Sequence, residues 1–289
     1  MANLRAIWKR IKSVESTSQI TKSMKMVAAA KLRKTQSVYG SLQDYAERCG
    51  AVLAEASSDG SQKENPYLTP RPQCRKICYV LIVGNRGLCG TYNNTLLRYG
   101  EKLIRDSKCD SYLIVCGRWG KDQIAAAGLH ADETCELSDT PSHEEAVQLA
   151  EKLKQLYQDG KADRIVMVYQ KFRSVLSQTP CDLQLLPLEH RTESDSQREI
   201  IFEPDRDSLI DMLLNMYINN TVHAVILEAR IGEHAARMTA MTAAADNTEK
   251  LMDELTLEFN YARQTAVTTE ISEIAGGAEA LRNNTAGGY

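Results

Sequence analysis

Along the first 53 residues, one set of positions recurs with a step that alternates between three and four. Positions 4, 7, 11, 14, 18, 21, 25, 28, 32, 35, 39, 42, 46, 49 and 53 carry Leu, Ile, Ile, Val, Ser, Thr, Lys, Ala, Leu, Thr, Tyr, Leu, Ala, Cys and Leu. That step is the seam of a coiled coil, because it keeps one side of a helix turned toward a partner. Apolar residues fill both ends of the seam, and Ser18, Thr21 and Lys25 interrupt it. A helix of this length would extend roughly 80 Å at about 1.5 Å per residue.

The C-terminal region repeats the pattern. Positions 231, 235, 238, 242, 245, 248, 252, 255, 259, 262 and 266 follow the same step, with one slip at 242–245–248. Small residues dominate from 235 to 248, as they do from 18 to 28. Asp205 or Asp207 can cap the start after Pro204, and Gly276-Gly277 can end the helix. About 70 residues correspond to roughly 105 Å. Two such helices pair most simply as an antiparallel coiled coil, with the middle of the chain at the closed end of the hairpin. The competing arrangement lays two amphipathic helices on a globular core. A 70-residue helix far exceeds the usual length of about 11–12 residues, which favours the coiled coil.

The middle alternates differently. Residues 57–73 are polar and Pro-containing and form an exposed linker. Strands are expected at Lys76–Val83, Ser111–Cys116, Arg164–Phe172 and Cys181–Leu188, with a short one near Glu199–Phe202. Helices are expected at about 91–106, 119–127 and 142–158, and a polar loop at Glu189–Arg198. Strands alternating with helices predict an α/β layer fold, Rossmann-like, with a largely parallel sheet. The chain therefore divides into an N-terminal coiled-coil helix (1–57), a linker (58–75), a central α/β domain (76–204) and a C-terminal coiled-coil helix (205–289).

Composition sharpens this division. All seven prolines lie between Pro66 and Pro204, the first 39 residues lack Gly and Pro, and Gly232 is the only such residue from 205 to 275. Both residues break helices, so the ends are built to stay helical, with Gly232 as their one soft point. A hydrophobic content of 43% excludes a disordered chain. Residues 1–34 hold nine basic groups and one acid, a net of +8; residues 205–289 hold six basic and thirteen acidic groups, a net of -7. Ends of opposite charge suit each other or separate partners. There is no secretory signal and no run approaching a membrane span. Eight cysteines without framework spacing fit a reducing compartment.

Candidate chemistry is sparse. Gly84, Gly87 and Gly90 sit between a strand and a helix, but their spacing is G-x-x-G-x-x-G, without the Gly-Lys-Ser/Thr ending of a phosphate loop. Cys74 and Cys78 have no second pair at zinc spacing, and the five histidines are scattered. No nucleophile, base and orienting group come together, so the residues imply no catalytic residue, cofactor or metal. Two other readings remain: a nucleotide-binding α/β enzyme with a coiled-coil arm, and a nucleic-acid binder using the basic N-terminus. The latter is disfavoured because that stretch holds a single aromatic, Trp8.

Longer strings carry a resemblance. Residues 11–34, IKSVESTSQITKSMKMVAAAKLRK, and residues 235–281, from AARMTAMTAAADNTEK to GGAEAL, are similar to the terminal helices of the gamma subunits of F-type ATP synthases. Arg86-Gly87-Leu88-Cys89-Gly90 resembles that family's central motif. The start of the match favours a bacterial subunit, and residues 182–234 lack the inserted cysteines of chloroplast relatives. The resemblance implies a non-catalytic rotor shaft inside a ring of alpha and beta subunits. Its α/β domain would meet the epsilon subunit and the ring of c subunits, with no nucleic acid and no membrane span of its own, on the cytoplasmic face of the cell membrane. Proton or sodium flow would turn it to drive ATP synthesis.

The resemblance also assigns residues. Met24 matches the position facing the lever of a beta subunit, with Lys25 a departure that adds charge beside it. Arg237 lies in the matching ARM segment, while Arg263, Gln264, Thr268 and Glu270 match a catch against beta. Arg263 offers a planar fork suited to a carboxylate, and Glu270 is expected to hold Arg237 or another base. Phe202 and Glu203 match the foot of the shaft, near the c ring.

Overall fold

A computed structural model describes residues 2–57, 65–126, 128–188 and 206–286. The elements are α1 (Ala2–Ser57), β1 (Lys76–Ile82), α2 (Tyr92–Asp106), β2 (Asp110–Cys116), α3 (Gly120–Ala126), β3 (Glu133–Cys135), α4 (His143–Gln158), β4 (Arg164–Ser174), β5 (Ser177–Leu186) and α5 (Arg206–Ala286). They form two compact units, Val27–Ala240 and Met1–Met26 with Met241–Tyr289.

The larger unit is built on a five-stranded sheet in the order β3-β2-β1-β4-β5. β1 pairs in parallel with both β2 and β4, β3 is parallel to β2, and β5 returns antiparallel along β4. The central strand reads KICYVLI and is buried on both faces, as a parallel strand covered by helices must be. Its alternation sorts the layers. Cys78, Val80 and Ile82 share a core with α4 and with Ile218, Val222, Val225, Ile226 and Ala229 of α5. Ile77, Tyr79, Leu81 and Val83 face α2 and α3. The C-terminal helix is thus one of the covering layers of the sheet. α4 starts at a cap in which the Ser142 hydroxyl accepts from the Glu145 N–H at 3.2 Å.

β3 is an addition to the sequence reading. Three residues, Glu-Thr-Cys, carry no apolar run, and pairing with β2 makes them a strand. The loop at 189–198, the short strand near 199–202 and the foot residues Phe202 and Glu203 lie outside the described residues.

The terminal helices pack on each other within each unit, and in the larger one they run antiparallel. In the larger one, Leu32 packs against Ile231 and Ala235, and Leu53 against Ile210 and Leu214. In the smaller one, the ring of Trp8 lies 5.8 Å from that of Phe259, and Leu4 and Ile7 line a shallow groove together with Tyr261, Ala262 and Ala266. None of the fifteen seam positions of α1 or the eleven of α5 is exposed, so the three-four step marks the packed face. Two polar seam residues of α1 are satisfied within their own helix: Thr21 donates to the Ser18 carbonyl at 2.9 Å and Thr35 to that of Lys31 at 2.9 Å. A small hydroxyl can therefore sit in a tight seam without an orphaned proton.

Two glycine expectations are corrected. Gly276-Gly277 do not end α5, which runs on to Ala286. Neither adopts the left-handed conformation of a terminating glycine, and nothing approaches within 4 Å. Gly232 is a packing position, not a soft point. A Cβ there would come 3.1 Å from the Tyr92 ring, whose hydroxyl donates to the Ala229 carbonyl at 2.6 Å.

Candidate functional site

The carboxyl ends of β1 and β4 open at the switch point of the sheet, where doubly wound folds place their ligands. Here α5 fills that position. Arg230, Glu233 and Arg237 lie on one stripe of the helix at i, i+3 and i+7. The Glu233 carboxylate bridges both guanidiniums, at 2.7 Å to Arg230 and 2.6 Å to Arg237. Arg230 also donates to the carbonyls of Val83 and Leu137 and to Asn85 Oδ1. Arg237 donates to the carbonyls of Arg86 and Gly87. Burial alone would raise the Glu233 pKa, but the two guanidiniums outweigh it and hold the carboxylate below its ordinary value.

This clamp explains the glycine-rich turn. A Cβ on Gly84 would stand 2.9 Å from the Glu233 carboxyl carbon, so only glycine lets the strand end approach the helix so closely. Gly90 adopts φ +61° and Leu88 φ +59°, the left-handed conformations that fold the turn over Arg237. The Gly84 N–H donates to Asn93 Oδ1 at 2.9 Å. The turn therefore grips a helix and presents a carboxylate beside Gly84, where a dinucleotide turn would take a phosphate. A second tie lies nearby: Lys31 of α1 meets Asp139 at 2.5 Å, and Asn85 Nδ2 adds 3.0 Å.

The assigned contact residues separate into two groups. Arg237 is 9% exposed and occupied by the clamp. Its carboxylate is Glu233, one turn away, rather than Glu270, because that nearer acid shares its helix face. Met24 is half-buried on α1, while its neighbour Met26 is 65% exposed. Arg263, Gln264, Thr268 and Glu270 are all exposed on α5, and Thr268 donates to the Gln264 carbonyl at 2.9 Å. Among the described residues no ion pair engages Arg263 or Glu270. Every described side chain from 267 to 279 is exposed, including the apolar Val267, Ile271 and Ile274, and Leu257 and Tyr261 join them one to three turns earlier. An apolar and charged helical surface of this kind marks a protein interface. The buried triad was missed in sequence because its partners lie about 145 residues away in the chain.

The described residues thus comprise a long N-terminal helix, an α/β sheet and a long C-terminal helix whose residues 267–279 are all exposed. A family profile described as ATP synthase matches residues 3–281. The ATP synthase gamma chain of Desulfitobacterium hafniense is 40% identical over 282 residues, covering 97% of this chain and 100% of that protein. That of Heliobacterium modesticaldum is 39% identical over 291 residues, covering 97% and 100%. Among solved structures, a chain of the Euglena gracilis mitochondrial ATP synthase, in an assembly of OSCP, F1 and c-ring, superposes with a TM-score of 0.71 at 20% identity, covering 100% of this chain and 97% of that one. A central stalk and c-ring structure from Tetrahymena thermophila gives 0.62 at 21% identity, covering 78% and 99%. The chain belongs to the ATP synthase gamma chain family. Among the described residues, no helix is long and apolar enough to cross a membrane.

Proposed function

We propose that the chain is the central rotor shaft of an F-type ATP synthase and carries no catalytic site itself. Ion flow through the c ring would turn it, and its asymmetric surface would impose different states on the beta subunits in turn. The observation that carries this reading is the surface of α5 beyond residue 257, where exposed apolar side chains alternate with Arg263, Gln264, Thr268 and Glu270. A ring of alpha and beta subunits would provide the missing cover, with Arg263 meeting a carboxylate of beta and Met24 facing its lever. Arg237 takes part indirectly, by fixing the RGLCG turn to α5.

The α/β unit supports the other end of the task. A shaft must be fixed to the part that receives torque, and the Arg230-Glu233-Arg237 clamp joins α5 to the strand ends. The foot around Phe202 and Glu203, the c ring, the epsilon subunit and a place on the cytoplasmic face of the membrane complete the proposal. The four-part division into 1–57, 58–75, 76–204 and 205–289 remains its functional outline.

Purification of the native chain under mild conditions tests this reading. Alpha, beta and epsilon chains are expected with it in fixed proportion, and recovery of the chain alone would overturn it. The nucleotide-binding alternative makes the opposite prediction for the isolated chain, a saturable titration with ATP or NAD that Gly87→Ala abolishes.

A further inference from the structure

One polar cluster has no part in the shaft or the clamp. His223 lies on the face of α5 that packs toward α4 and is 6% exposed, yet neither ring nitrogen has a hydrogen-bond partner. The Pro141 carbonyl approaches the ring without making a bond of good geometry. Asn219, one helical turn earlier on the same face, has a buried side-chain oxygen that is also unpartnered. Opposite stands His143 at the start of α4, with ring centroids 5.4 Å apart and planes at 56°. Its ring reaches solvent, so the cluster has an entrance.

A buried imidazole always has one nitrogen to donate and one to accept, and leaving both empty is costly. Chance does not readily leave three such atoms on adjacent turns, while the next polar position, Asn215, is fully engaged by Lys154 at 2.8 Å. One of the two His223 nitrogens and the Asn219 oxygen are lone-pair donors with nothing to receive them. We propose that His143, His223 and Asn219 form a binding site for one divalent cation of the zinc class, bridging α4 and α5 with water in the remaining position.

The dimensions and the chemistry agree. A tetrahedral ion with Zn–N bonds of about 2.1 Å holds two imidazole centroids roughly 5 Å apart. Neutral imidazole is the ligand such an ion requires, and burial together with the neighbouring His143 lowers the pKa of His223. Glu144 and Glu145 in the first turn of α4 offset the positive end of that helix. Two imidazoles and an amide oxygen suit zinc, cobalt or copper, and not magnesium or calcium, which take oxygen ligands.

Titration of the purified full-length chain with zinc against a chromophoric chelator tests the site. One equivalent should bind, and His143→Ala should weaken binding about tenfold or more with unchanged circular dichroism, since His143 is exposed. Cobalt should give the absorption of a nitrogen and oxygen site without a thiolate charge-transfer band. Zinc should raise the melting temperature of the wild-type chain and not that of His143→Ala, and magnesium should do neither. Three results would overturn the proposal: no zinc bound, binding that His143→Ala and His223→Gln leave unchanged, or a thiolate spectrum placing the ion on cysteines. The first would assign the orphaned atoms to water.

Discussion

Glu233 is nearly fully buried between two guanidiniums, so its charge cannot be removed without leaving theirs behind. Breaking a buried pair from one side costs about 3–5 kcal/mol. Glu233→Gln should therefore destabilise the chain by that amount in urea unfolding. Exposed Glu270→Gln should change it by less than about 0.5 kcal/mol. Asp139 behaves differently because it is partly exposed. The Lys31 ammonium, then the Asn85 amide, hold its carboxyl well below the usual carboxylate range. A depressed folded pKa contributes stability that is complete above the unfolded value of about 3.9 and is lost as pH falls toward the folded one. The stability difference between wild type and Lys31→Met should be widest above pH 4 and should close on acidification, as read by denaturant unfolding at each pH.

At the scale of the element, the behaviour of α5 beyond its partner is the most open to experiment. Gly276 and Gly277 are helical, exposed and uncrowded, so each weakens the helix by about 1 kcal/mol relative to Ala. The double Ala variant should slow amide hydrogen exchange between residues 267 and 286. The reason sequence reading ended the helix there is physical: glycine pairs usually terminate helices by turning left-handed, and nothing in the local sequence says that these do not. The same limit applies to Gly232, whose role depends on Tyr92, and to β3, which only its neighbour makes a strand. The seams, by contrast, were legible over their full length. A periodic face needs no knowledge of its partner, and even the polar Thr21 and Thr35 are compatible with burial through bonds to their own helix. The contact residues divide in the same way. Arg263, Gln264, Thr268 and Glu270 are visible as surface because none of them occupies a seam position, whereas the role of Arg237 is set by a turn distant in sequence.

For the molecule as a whole, the proposed function requires torque to pass between the α/β unit and the helical surface proposed to meet the ring. If the exposed residues form the catch, substituting Arg263 and Gln264 together with Ala should slow ATP turnover of the reconstituted complex while leaving its assembly intact. Wild-type turnover would argue against that assignment. A Glu233 variant should behave differently, loosening the chain itself before any effect on the ring.

The place of Ile218, Val222, Val225, Ile226 and Ala229 in the core of the sheet bears on how the chain is made. The ribosome releases β1 to β5 long before these side chains exist. Until then, Cys78, Val80 and Ile82 lack half of their cover, and α1 has no seam to join. A nascent chain stopped at Leu188 should therefore be protease-sensitive and bind chaperones, with protection arriving only after residue 231 has emerged. Pairing the first helix with the last makes this a protein that folds when its synthesis is nearly over.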